Sequence, residues 1–227
     1  MGGLFNENNF LSIALNKIGD IVISNLLFIL CSIPLVTIGP SLTALHHCTL
    51  RMAKGNHIGT IRTFFRAFKE NFKQSIIVWL GSVVIFAVLF TNINFLKNMD
   101  TSFSRILMYM SIIIFIFVFI MNLYIYPVIA AFQGNLKTLL RNAFIFAGSH
   151  LFKTIIMALI WIFPVFITFW DTQLQPLYVF CWFFFLFATL SYANSSILYK
   201  MFKPYLGDDD EEDGEKFYND TDTAYLP

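Results

Sequence analysis

The sequence predicts an all-α protein, a polytopic transmembrane helical bundle of about five spans with two basic amphipathic arms on the cytoplasmic side. Its 227 residues are 57% hydrophobic and only 13% charged, whereas soluble domains carry about 25% charged residues. Uncharged apolar segments recur at the length of about 17 to 25 residues that crosses a bilayer. Lys and Arg are clustered beside these segments, with helical spacing. Together these features favour a membrane protein over a soluble one.

We expect a single integral membrane domain over residues 1–205, followed by an acidic tail over 206–227. Seven of the fourteen acids lie between Asp208 and Glu215. Such a segment cannot bury enough apolar surface to fold by itself, so the tail is expected to be disordered. The rest of the chain carries an excess of Lys and Arg, as expected near anionic lipid, and nucleic acid is not implied as a partner.

The N-terminal part sets the topology. Residues 1–19 fit one face of a short amphipathic helix along the interface, and span one covers residues 21–38. Three residues interrupt the helix, because proline removes a backbone donor and glycine is flexible. Residues 41–52 then form either a kinked continuation or a segment that returns into the membrane, and a hairpin in which they cross as well is the rival. The interrupting residues are Pro34, Gly39 and Pro40.

A basic arm follows between Ile58 and Lys73. Its apolar residues recur at spacings of three and four, with a cation one position after each of them, which is typical of an interfacial helix. The apolar positions are Ile61, Phe65, Phe68 and Phe72, and the cations are Arg62, Arg66, Lys69 and Lys73. We expect the cations to contact anionic headgroups or a partner protein, and span two to cover residues 74–95.

The same pattern recurs later in the chain. Span three covers residues 106–131 and precedes a second arm that carries Lys137 and Arg141. The order of Thr63, Phe64, Phe65 and Arg66 is echoed by Thr138, Leu139, Leu140 and Arg141, which indicates a weak tandem repeat. Spans four and five are predicted at residues 154–170 and 177–198.

Orientation follows from the distribution of Lys and Arg, which accumulate on the cytoplasmic side. In a five-span arrangement with the N-terminus outside, the outer side receives only Lys17, Lys97 and Arg105, and the other 12 of the 15 cations fall inside. We therefore predict a multi-pass protein of the cell membrane whose C-terminus is cytoplasmic.

No catalytic, cofactor or metal site is predicted. His46, His47 and Cys48 are adjacent, and adjacent helical side chains point about 100° apart, so we interpret them as packing residues. Ser191, Ser195 and Ser196 would need a base on the same face, and Lys200 is too close to the interface to serve. No span carries a carboxylate at its centre, which cation-coupled carriers usually need.

Two stretches resemble the YesL-like family of bacterial integral membrane proteins, also called domain of unknown function 624. They run from Asn25 to Leu45 and from Phe64 to Gln74, and their most specific parts are the Pro-x-x-Thr-x-Gly-Pro break and the Phe-Phe-Arg-x-Phe-Lys arm. The resemblance implies about 200 residues, several spans, a Gram-positive source and association with genes for carbohydrate uptake and degradation. It supplies no activity and no catalytic residue.

Two functional hypotheses remain. The first is a non-enzymatic protein that assists a carbohydrate transport or utilisation system, with subunits of a sugar importer as partners. The second is a transporter or permease subunit in its own right. Arg141, Gly148 and Pro164 only faintly echo the coupling loop of importer permeases, because Arg replaces the acid of that motif.

Overall fold

The computed structural model describes residues 10–55, 59–99, 101–171 and 173–206. These ranges are helical and contain no strand, which confirms the all-α class. Almost all of the predicted acidic tail lies outside the described residues. The helices are α1 (Phe10–Ser32), α2 (Ile38–Lys54), α3 (Thr60–Glu70), α4 (Phe72–Lys97), α5 (Ser102–Ala131), α6 (Leu136–Ser149), α7 (Leu151–Trp170), α8 (Gln175–Cys181) and α9 (Phe187–Phe202), and a π-helical turn over Trp182–Leu186 joins the last two.

Five helices in the described part are long and apolar enough to cross a membrane, which indicates a multi-pass membrane protein. They are part of α1, then α4, α5, α7 and the continuous segment from α8 through α9. The last four cover the segments predicted for spans two to five and extend a few residues beyond them. Uniform hydrophobicity explains the agreement, since lipid-facing helices must be apolar along their length.

The first helix differs from the prediction at both ends. α1 is continuous from Phe10 to Ser32, so a separate interfacial helix within residues 1–19 is wrong over the described residues. The predicted end of span one at residue 38 is also wrong. The helix stops before Pro34, which caps a short 3-10 turn over Leu35–Thr37, because proline cannot continue the helical hydrogen-bond pattern.

α1 and α2 form an antiparallel hairpin. Phe28 of α1 lies in the same buried cluster as Ala44 of α2. Beyond the end of α2, the Thr60 hydroxyl donates a hydrogen bond to the carboxylate of Asp20, further back along α1. Residues 41–52 therefore lie in a helix that returns toward the end from which α1 starts, and the alternative of a kinked continuation is wrong.

The hairpin tip packs against the first third of α4. The indole N–H of Trp79 donates to the carbonyl of Leu35 at the tip, at 2.8 Å. Trp79 lies seven residues after the start of α4, which is about 10 Å at the helical rise of 1.5 Å per residue. α4 continues from there to Lys97. The tip itself is apolar and exposed, as Ile33 (71%) and Leu35 (74%) illustrate.

α2 is the central helix of the bundle and packs on α1, α3, α4, α5 and α9. Thirteen of its residues are buried, and they include Thr43, Thr49 and Arg51. Because α2 faces protein rather than lipid, it can carry polar groups that neighbouring helices satisfy. This explains why hydropathy alone does not mark α2 as a membrane segment.

The two arms, α3 and α6, pack on the bundle in the same way, which supports the predicted repeat. Phe64 and Leu139 are both fully buried, and the residue after each, Phe65 or Leu140, is 39% exposed. The apolar faces predicted to contact lipid thus remain largely at the surface, while a neighbouring face makes the protein contacts. Packing within the chain therefore anchors both arms on the bundle.

Most of the described cations lie at one end of the bundle, which we call the basic end. A hydrogen bond of 2.9 Å from the Gln74 side chain to the Gly134 carbonyl joins the start of α4 to the start of α6 at this end. The hairpin brings the first half of α1 there as well, so the expected placement of Lys17 on the side opposite the arms is wrong. The basic end carries Lys17, Arg51, Lys54, Arg62, Arg66, Lys69, Lys73, Lys137, Arg141, Lys153, Lys200 and Lys203, and the other end carries Lys97 and Arg105.

Candidate functional site

The candidate site is an open cavity of about 650 Å³ lined by residues of α2, α4, α5 and α7. Its described wall is mostly aromatic and aliphatic and includes no charged side chain. The few polar groups are contributed by different helices, so their positions depend on the packing of the bundle. Representative lining residues are His46, Trp79, Phe86, Asn122, Tyr126 and Phe166.

The cavity extends from the side of α2, where Leu42 and His46 line it, past the hairpin tip and along α4, α5 and α7. α7 is held near its two ends, where Thr154 contacts the Tyr124 hydroxyl at 2.7 Å and Thr168 accepts a hydrogen bond from the Trp182 indole at 2.9 Å. The α7 residues that line the cavity are Trp161, Ile162, Val165, Phe166 and Phe169.

A buried polar cluster lies beside the cavity and joins α2 to α9. The Nδ1 atom of His46 is 3.1 Å from the Ser191 hydroxyl and 3.5 Å from the Ser195 hydroxyl. The Thr49 hydroxyl is 3.0 Å and 2.8 Å from the same two oxygens. All four residues are buried, and His46 is 5% exposed. The cluster pairs polar groups that would otherwise be costly inside the bundle.

The contact between His46 and Ser191 has the residue types of a base and a nucleophile, but its surroundings favour packing. Ser191 and Ser195 are both 0% exposed, and neither lines the cavity. A nucleophile must reach its substrate, and these hydroxyls do not. Lys200, the base considered from the sequence, is exposed near the end of α9.

Other polar atoms of the wall are paired within the protein. Asn122 accepts a hydrogen bond from the Tyr126 hydroxyl at 3.3 Å and donates one to the Val118 carbonyl at 2.9 Å. The Trp79 indole is occupied by the Leu35 carbonyl. The Nε2 atom of His46, in contrast, makes no hydrogen bond within the described part of the chain. His46 therefore has one ring nitrogen available to a ligand.

His47 lines a second cavity of about 220 Å³ near the basic end, together with Glu70, Gln74 and residues 129–134. Its Nδ1 atom is 3.0 Å from the Ala130 carbonyl. Adjacent histidines thus contact different cavities, as the angle between neighbouring helical side chains predicts. The described residues contain no group of three or more His, Cys, Asp or Glu side chains that could hold a metal ion.

The predicted break residues shape the hairpin. Pro34 precedes the turn, while Gly39 and Pro40 lie in the first turn of α2, where a missing N–H breaks no helical bond. α2 thus begins at Ile38, three residues before the predicted segment of residues 41–52. A Cβ atom at Gly39 would lie 2.5 Å from both the Ser75 carbonyl oxygen and the Trp79 Cβ, so only glycine lets α2 and α4 approach this closely.

The six predicted arm cations lie at the basic end and outside the lining of the larger cavity. Arg66 is half-buried, and the others are exposed. None of the six makes a hydrogen bond or ion pair to another described residue. They therefore remain available to headgroups or to a partner. The exposed ones are Arg62, Lys69, Lys73, Lys137 and Arg141.

Sequence reasoning gave no role to one polar residue that organises the bundle, Asn25, and interpreted His46 only as a packing residue. The Asn25 amide donates to the carbonyls of Trp182 at 3.1 Å and Phe183 at 2.7 Å, and its oxygen accepts from the Ala188 N–H at 2.9 Å. It thereby pairs backbone groups around the π-helical turn, whose hydrogen-bond pattern departs from that of an α-helix. The signal available in the sequence was a single Asn among the apolar residues of span one.

Residues 21–93 match the protein family described as "Protein of unknown function, DUF624". This is the family that the break and arm motifs resemble, and the matched segment contains both motifs and the whole of α2, α3 and the hairpin tip. No curated protein and no solved structure matches the chain.

Proposed function

We propose that this chain is a non-enzymatic protein of the cell membrane that assists a carbohydrate transport or utilisation system. The observation that carries the proposal is the set of six arm cations at the basic end, none of which is paired within the described chain. Such a surface can contact anionic headgroups and the subunits of a sugar importer. The link to carbohydrate and to a Gram-positive source rests on the family resemblance alone.

The distribution of charge supports a cytoplasmic position for the basic end. Twelve described cations lie at this end and two at the other, and Lys and Arg accumulate in cytoplasmic segments. In this orientation α3, α6 and the end of α9 all face the cytoplasm. The inaccessible Ser191 and Ser195 support the non-enzymatic part of the proposal.

Affinity purification from native membranes in mild detergent tests the proposal. We expect a permease or ATPase of a sugar importer to be recovered with the wild-type chain. If the arms bind this partner directly, Arg66→Lys alone lowers its recovery, because a bidentate guanidinium contact is not replaced by lysine. Lys97→Gln, at the opposite end, is the matched control. Recovery of the pure chain, without importer subunits, would contradict the proposal.

The second candidate is a transport subunit in its own right. The cavity lies between α2 and α4 of the first repeat unit and α5 and α7 of the second, and carriers often place binding sites between repeats. The apolar wall of the cavity makes this the weaker candidate, because the many hydroxyl groups of a sugar would lack hydrogen-bond partners there. Uptake of a labelled sugar by vesicles that contain only this chain would favour this candidate instead.

A further inference from the structure

We propose that the cavity of about 650 Å³ binds a single-chain lipid that carries one uncharged hydrogen-bonding group, such as a long-chain alcohol. The apolar chain would occupy the space between α4, α5 and α7, and the hydroxyl would contact His46. The cavity volume falls within the range of about 300 to 1,000 Å³ that is usual for small-molecule sites.

His46 supplies the polar end of the site. It lines the cavity and is 95% buried, since its exposed fraction is 5%. Its Nδ1 is engaged by Ser191 and Ser195 from α9, which fixes the ring. The Nε2 atom makes no hydrogen bond in the described chain and is not among its fully buried unpaired atoms, so a ligand in the cavity can pair with it. A hydroxyl suits this nitrogen in either tautomer, because it can donate or accept.

The wall defines the rest of the ligand. Aromatic and aliphatic side chains dominate it, and no Lys or Arg is among its described residues. A phosphate or carboxylate would therefore be buried without a counter-charge, which is strongly unfavourable. One apolar chain with one uncharged polar group matches both the wall and the unpaired nitrogen.

The position of the cavity gives such a ligand a route from the membrane. Three lining residues of α7, Val165 (41%), Phe166 (55%) and Phe169 (76%), are exposed, so the cavity is open to the surroundings of the bundle beside α7. In a multi-pass membrane protein this surface contacts lipid. A chain molecule dissolved in the bilayer can therefore enter beside α7 without crossing water.

Photolabelling of the full-length protein tests the inference. The probe is 1-hexadecanol with a diazirine in its chain, added to the protein in detergent, and the labelled residues are mapped by mass spectrometry. We expect saturable labelling of cavity residues on α5 and α7 that excess 1-hexadecanol displaces. His46→Leu should raise the 1-hexadecanol concentration that displaces half of the label about tenfold, the equivalent of one hydrogen bond. His46→Gln should bring this concentration back toward the wild-type value.

Val165→Trp fills the cavity from an exposed position and should abolish the saturable labelling. Ile113→Trp, at a position 66% exposed on α5 and outside the cavity lining, is the matched control and should leave it unchanged. A hexadecane diazirine without the hydroxyl should bind His46→Leu and wild type equally. Labelling that spreads over all exposed apolar residues, does not saturate or persists in Val165→Trp would overturn the inference.

Discussion

Asn25 illustrates how a single polar side chain can fix two helices inside a membrane. Its amide makes three hydrogen bonds to backbone atoms at the π-helical turn. We expect Asn25→Leu to lower the free energy of unfolding by at least about 2 kcal/mol, because buried backbone groups left unpaired cost about 1–3 kcal/mol. Thermal unfolding in detergent measures this. Asn16→Leu, at an exposed position of the same helix, should have little effect, and equal loss in both variants would contradict the role of Asn25.

Gly39 is the second residue with a sharply defined role. Because a Cβ there would lie 2.5 Å from atoms of Ser75 and Trp79, Gly39→Ala should destabilise the protein by about 1–3 kcal/mol, the usual cost of overpacking. Gly39→Leu and Pro40→Leu should lower the folded yield further. Gly81→Ala in α4 is the control, since a Cβ there meets no atom within 4 Å. Full stability of Gly39→Ala together with loss of a measurable activity would show that the break is functional.

At the residue scale, the sequence predicted which positions break the helix but not what they do. Gly39 was recognisable beside Pro40, yet its contact with Trp79 depends on a helix more than thirty residues away. His46 was dismissed because adjacent histidines cannot share a metal. The Ser-rich α9 that pairs with it could be inferred only from the fold, although both segments are unusually polar for buried helices.

At the scale of elements, the residues that pack the first arm, α3, on the bundle differ from the residues that carry its charge. Phe64 is fully buried and Phe65 is 39% exposed. We expect Phe64→Ala to lower stability by about 3–5 kcal/mol, as for large core truncations, and Phe65→Ala to cost less than about 1 kcal/mol. Unfolding in detergent distinguishes the two adjacent substitutions. Similar losses would mean that α3 is not docked on the bundle through Phe64.

The cations of the same arm should act on lipid rather than on folding. Each contributes about 1 kcal/mol of attraction to an anionic leaflet, so the four together amount to roughly a thousandfold in local affinity. A polarity-sensitive dye on Ile61→Cys, in liposomes that contain anionic lipid, should report a more aqueous setting when Arg62, Arg66, Lys69 and Lys73 are all changed to Gln. Changing the arginines to Lys should have no effect. An unchanged dye signal in the four-Gln variant would exclude lipid docking of the arm.

The helices that face lipid could be predicted from the sequence, because hydrophobicity along a span is a local property. The predicted segments of α4, α5 and α7 lie within the observed helices. The return of α2 could not be predicted in the same way, since it depends on which neighbours cover Thr43, Thr49 and Arg51. The local sequence pattern predicts where the helix breaks, whereas packing against other helices decides in which direction the chain continues.

At the scale of the whole molecule, the hairpin connects the features described above. It brings both ends of the described chain to the basic end, packs α2 against α1, α3, α4, α5 and α9 and borders the cavity with one side of α2. Trp79 belongs to both the hairpin contact and the cavity wall, since its indole binds the hairpin tip and its side chain lines the cavity. The proposals for the arms and for the cavity both depend on this arrangement.

The location of the two termini is the most direct test of the hairpin. Two reporters, one fluorescent only in the cytoplasm and one enzymatically active only outside, can each be fused before Met1 or after Leu206. We predict that both fusion points are cytoplasmic, because α1 enters and α2 returns at the same end of the bundle. If the N-terminal fusion is active only outside while the C-terminal fusion fluoresces inside, α1 crosses the membrane without a return and the account is wrong.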